Sequence, residues 1–63
     1  MMNFKTFTNA APPYEGKKIA IDISKVSVIF EDVLENGKVK LWSKENQWTV
    51  EETFETVMKI IKE

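Results

Sequence analysis

The chain has 63 residues, of which 43% are hydrophobic and 30% charged, with a formal net charge of −1. It has no cysteine and no histidine, which excludes disulfides and thiolate metal sites and removes the commonest transition-metal ligand and the commonest general base. The near-neutral balance argues against a dedicated polyanion binder, and no apolar run reaches the length of a membrane span.

One core of this size seldom supplies more than about 3–5 kcal/mol without a staple. With disulfides and thiolate metals gone, self-association or a larger partner is the expected staple. Residues 1–63 are read as a single domain. The opening "MMNFKTFTNAAPP" has one lysine and no apolar core, so it is not a secretory signal, and a cytoplasmic protein is expected.

The first element is a strand over Met2 to Phe7. Met2, Phe4 and Thr6 alternate with Asn3, Lys5 and Phe7. "TNAAPPYEG" then breaks regular structure, making Thr8 to Gly16 a loop between the first and second strands. It is long for a hairpin in so small a domain, which marks it as a candidate functional loop. "KKIAIDI" carries Ile19, Ile21 and Ile23 at period two, the clearest strand in the chain. "VSVIFEDVL" follows with Val26, Val28 and Phe30 set against Ser27, Ile29 and Glu31. Asn36-Gly37 in "ENGK" supplies the positive φ angles of a tight type I′ turn. "VKLW" returns as the partner strand, and "QWTV" adds a short strand segment before a helix.

That helix is expected at about Val50 to Lys62. Thr49 is read as its N-cap, with Glu52 completing a capping box. Val50, Phe54, Val57, Met58 and Ile61 fall on one apolar face, with Ile60 beside the polar side. Glu55 and Lys59 stand in the favourable i,i+4 order. Strands followed by a helix predict an α+β fold, a small antiparallel sheet of about four strands with one C-terminal helix packed on it. Ile29, Val33 and Trp42 are expected on the face away from the helix. That apolar surface exceeds what a monomer usually leaves in water and points to a second layer, such as another copy of the chain.

The run "KIAIDISKVSVI", a hairpin, "VKLW" and "WTVEETFETVMKII" resembles the FlbD-like small proteins of flagellar operons and similar short proteins common in phage genomes. Ile19, Ile21 and Asp22 match the first strand of that pattern, Leu41 and Trp42 the hairpin return, and Val50, Glu51 and Val57 the run into the terminal helix. The resemblance covers about Lys17 to Lys62. The chain departs from it in its longer "NAAPPYEG" loop and in "WTVEE", which replaces a valine-rich segment. The resemblance implies a small regulatory or assembly role, encoded by a phage or mobile element.

The residue types argue against catalysis. Asp22, Glu31, Asp32, Glu35, Glu51, Glu52 and Glu55 would need a cleft that drives two pKa values apart, which a domain this small rarely builds. Only Gly16 and Gly37 are available, too few for a glycine-rich phosphate loop. Glu31, Asp32 and Glu35 lack the alternate spacing of a calcium loop and read as a solvated hairpin end. Neither an enzyme nor a cofactor is expected.

Lys5, Lys17, Lys18, Lys25, Lys38, Lys40 and Lys44 lie in the strand region, so a lysine-bearing sheet face with Trp42 offers a nucleic-acid reading. The absence of arginine weighs against it. Among the seven aromatics, Phe4, Phe30 and Phe54 are assigned to the core and Trp48 to packing at the helix entrance. Trp42 and Tyr14 lean to an interface or pocket. The residues singled out for binding are Tyr14, Trp42, Trp48, Phe7, Lys18 and Lys40. The expected function is interaction or regulation: a homodimer or higher oligomer that binds or occludes a protein partner. Two alternatives stay open, a nucleic-acid-binding sheet surface and a protein that sequesters a nucleotide-like ligand at a subunit interface.

Overall fold

The computed structural model describes residues 2–63. Strands β1 (Phe4–Thr8), β2 (Lys18–Asp22), β3 (Val26–Asp32), β4 (Lys38–Ser43) and β5 (Gln47–Val50) precede a single helix, α1 (Phe54–Lys62). The strands form two antiparallel sheets, β1–β2 and β3–β4–β5. The sheets are stitched together where β1 ends. Asn9 bridges to Val50, the Ala10 N–H donates to the Thr49 carbonyl at 2.8 Å, and the Glu51 N–H donates to the Thr8 carbonyl at 2.8 Å. The fold is α+β, with "QWTV" as a full fifth strand.

The core lies between the sheets and the helix. Phe7, Ile21, Val39, Leu41, Val50 and Val57 are its enclosed side chains. β4 contributes two of them, β1, β2, β5 and α1 one each, and β3 adds Val26 and Ile29 at the margin. In β1 the buried aromatic is Phe7, opposite Ile19, while Phe4 is exposed opposite Asp22. This reverses the core assignment of Phe4. Both faces of "FKTF" carry one phenylalanine, so alternation alone cannot choose between them.

A bulge decides the facing of β3. Val26 pairs with Ser43 and Val28 with Trp42, so Ser27 is an extra residue in the ladder. An extra residue flips every later side chain relative to those before it. Val26 and Ile29 therefore both turn inward, while Val28 turns out to solvent and Phe30 follows it. Phe30 thus leaves the core position assigned to it, and Ile29 leaves the outer face for the inner one.

The β3–β4 turn is longer than a two-residue hairpin. Asn36 (φ 59°) and Gly37 (φ 77°) do take the left-handed angles. They close a 3-10 turn over Val33–Glu35, in which the Asp32 carboxylate accepts from the Leu34 N–H at 2.9 Å. The Gly37 N–H then donates to the Asp32 carbonyl at 2.9 Å.

Helix α1 starts later than the capping-box reading placed it. Thr49 is held in β5 opposite Lys40, so its backbone is committed to the sheet. The N-cap is Thr53, whose hydroxyl accepts from the Thr56 N–H at 3.2 Å. Glu52 turns instead toward β1. Its carboxylate accepts from the Thr8 N–H at 2.9 and 3.1 Å and from the Thr8 hydroxyl at 2.9 Å. Val57 is fully enclosed, and Phe54, Ile60 and Ile61 pack against the core around it. Ile60 thus belongs to the packed face and not to the polar side.

Candidate functional site

Four exposed large apolar side chains, Val28, Val33, Leu34 and Trp42, stand on the β3–β4 hairpin. Strand register sets Val28 opposite Trp42 and Phe30 opposite Lys40 on the face turned away from the core. Val28 and Trp42 are exposed, and Phe30 meets Trp42 edge-on, with ring centroids 5.3 Å apart and planes at 84°. Edge-to-face geometry is the favoured way for two rings to meet, and it fixes the indole on the sheet. The Ser27 hydroxyl donates to the Trp42 carbonyl at 3.4 Å, across the bulge.

Lys40 lies in the same face but is only 7% exposed. Its aliphatic stem runs over the sheet between its cross-strand neighbours Phe30 and Thr49, and its ammonium reaches Glu35 at 3.0 Å. A lysine can bury its stem while its charge finds a partner at the rim. The pair draws the last residue of the 3-10 turn over the outer face. At that turn Val33 is 85% and Leu34 91% exposed. Glu31, Asp32 and Glu35 surround them in sequence. At the opposite end of the hairpin, Lys44 and Glu45 border a shallow depression beside Trp42, and Lys25 stands with them across Ser43.

The other residues singled out from sequence lie elsewhere. Phe7 is enclosed in the core. Trp48 faces inward opposite Leu41 and packs against the core from its margin. Lys18 is exposed on β2, opposite Thr8. Tyr14 is 67% exposed in the β1–β2 loop, and this loop is braced from within. The Asn9 side-chain amide donates to the carbonyls of Ala11 and Tyr14 at 3.0 Å each, and its oxygen accepts from the Ala11 N–H at 3.3 Å. The Gly16 N–H donates to the Asn9 carbonyl at 2.7 Å. Exposed Met2 and Phe4 form a second apolar area at the start of the chain.

The structure therefore joins Trp42 and Lys40 on one face and leaves Tyr14 and Lys18 on the β1–β2 side. Sequence reasoning missed Val28, Phe30 and Leu34 as surface residues. The bulge that exposes Val28 and Phe30 has no signature in "KVSVIFED". Leu34 did carry one, as an aliphatic residue inside a turn sequence.

Asp22, Asp32, Glu35, Glu51 and Glu52 hold hydrogen bonds or ion pairs within the fold. Asp22 accepts from the Ser24 hydroxyl at 2.6 Å, the Ser24 N–H at 3.1 Å and the Asn3 N–H at 3.0 Å. The Ser24 hydroxyl, followed by the Asn3 backbone N–H, holds its carboxyl below the usual aspartate value. Among the described residues no group of three or more Asp or Glu could hold a metal ion. An open shelf of about 790 Å³ runs along α1, lined by Phe54, Glu55, Met58, Lys59, Lys62 and Glu63. It is the side of one helix, and no second element encloses it. Among the described residues no helix is long and apolar enough to cross a membrane. No protein-family model matches the chain, and neither a curated protein nor a solved structure is significantly similar to it.

Proposed function

We propose that this chain is a small, cytoplasmic, non-enzymatic interaction protein that works as a homo-oligomer and binds or occludes a protein partner. The observation that carries this reading is the set of apolar side chains left in water by a chain with few to spare. Val28, Val33, Leu34 and Trp42 stand on the β3–β4 hairpin, and Met2, Phe4 and Tyr14 on β1 and the loop after it. Exposed apolar side chains in more than one place let one chain meet a copy of itself and a different protein. Aromatic residues on such surfaces are the usual anchors of protein contacts. The regulatory or assembly role implied by the FlbD-like pattern is work of the same kind.

Co-purification from the host tests the reading. Tagged protein is expected to bring down one polypeptide in fixed ratio. That polypeptide is expected to be lost with the Phe4→Ala/Tyr14→Ala double variant and kept with Lys18→Ala. A preparation carrying a nucleotide-like ligand or an oligonucleotide, with no polypeptide, replaces this reading with a ligand- or nucleic-acid-binding one.

A further inference from the structure

We infer that the outer face of the β3–β4 hairpin is where two copies of this chain meet, packed face to face about a two-fold axis. The 3-10 turn of each copy is set against the Trp42 end of the other. The inference rests on the proposed self-association and names its surface.

The hairpin face is self-complementary. Along it run Trp42 and Val28 at one end, Phe30 in the middle, and Val33 and Leu34 at the turn. A two-fold contact uses the same patch on both copies, so each end must suit the other end of its partner. Here both ends offer apolar side chains: exposed Trp42 and Val28 at one, Val33 and Leu34 at the other. Their charges are opposed. At the turn Glu35 pairs with Lys40 and Lys38 pairs with Glu51, which leaves Asp32 as the acid of this face not matched by a lysine. Lys25 and Lys44 stand at the Trp42 end, with Glu45 beside them. Antiparallel packing brings the acidic turn of one copy to the lysines of the other, twice over. Parallel packing would set acid on acid.

Two further points favour the whole face over its tip. A stable contact buries about 800 Å² per partner. The chain's entire accessible surface is 4644 Å², so such a contact takes about a sixth of it, far more than Val33 and Leu34 supply. The turn is also held ready. Asp32 caps it and the Glu35–Lys40 pair ties it to the outer face, so little freedom is lost on docking.

Sedimentation velocity on the full chain over a range of concentrations, with native mass spectrometry, tests the contact. Wild type is expected at twice 7.3 kDa. Leu34→Asp and Val33→Asp alter side chains that are almost wholly in water, so circular dichroism should be unchanged while the dimer Kd rises about tenfold or more. Trp42→Ala should do the same. Lys44→Glu should weaken the dimer. A wild-type monomer at every concentration overturns the self-association reading and this contact together. A wild-type dimer that Leu34→Asp, Val33→Asp and Trp42→Ala all leave intact overturns the contact alone, and places the copies' meeting point elsewhere.

Discussion

Glu52 shows how one side chain holds two parts of this fold together. Its carboxylate takes the Thr8 N–H and hydroxyl, and so fastens the segment leading into α1 to the end of β1. Hydrogen bonds to a charged group contribute about 1.5–3 kcal/mol each way they are measured by deletion. Glu52→Ala is therefore expected to lower unfolding stability by about 1–3 kcal/mol, and urea titration reads it directly. Asp22 makes a prediction of different form. Its native pKa lies below the ordinary 3.8 because Ser24 and Asn3 donate to the ionised form. The folded state thus binds a proton less readily than the unfolded one. The contribution of Asp22 is complete well above that value and disappears as the pH falls through the lowered native one. Urea midpoints measured from about pH 5 downward should fall less steeply in Asp22→Asn than in wild type.

Among the elements, the β3–β4 hairpin is the one whose details were least legible from sequence. "ENGK" correctly marked Asn36 and Gly37 as the left-handed residues, because asparagine and glycine tolerate positive φ. The 3-10 turn in front of them depends on Asp32 capping Leu34, a contact no pattern in "FEDVLEN" announces. Nothing lies within 4 Å of a side chain placed at Gly37, so Gly37→Ala isolates the backbone effect. It should cost about 1–2 kcal/mol, the penalty of a left-handed residue with a Cβ. Helix α1 teaches a similar lesson. Of the three threonines in "TVEETFET", Thr49 and Thr53 precede the observed helix, and Thr49 does not cap it because β5 already uses its backbone. Replacing the observed cap, Thr53→Ala, is expected to cost about 1 kcal/mol. Hydrogen exchange at the first helical amides would locate the loss.

As a whole molecule, the protein balances a small core against a surface rich in apolar groups. Leu41 is fully enclosed where β4 crosses the middle of the core, between Ile29 and Trp48. A leucine-to-alanine change at such a site costs about 2–5 kcal/mol, close to all that one core of this size supplies. Leu41→Ala is expected to leave the chain largely unfolded as a monomer, seen as loss of the far-ultraviolet circular dichroism signal. The same scarcity makes the exposed β3–β4 face informative. A chain that leaves Leu34 and Val33 in water forgoes burial it can hardly spare, and the proposed two-fold contact would return that burial.

The sequence by itself determined the fold class, the alternating strands, the terminal helix and the residue types available for chemistry. Each depends on local periodicity or on composition, and both are written in neighbouring residues. Tertiary structure alone decided which phenylalanine of β1 is buried, that Ser27 bulges and turns Val28 and Phe30 outward, and that Glu52 serves β1 instead of a helix cap. It also decided that Lys40 lies under Glu35 on a face shared with Trp42. Those outcomes depend on which distant segment arrives opposite each residue, and a period-two or period-3.6 pattern carries no record of that.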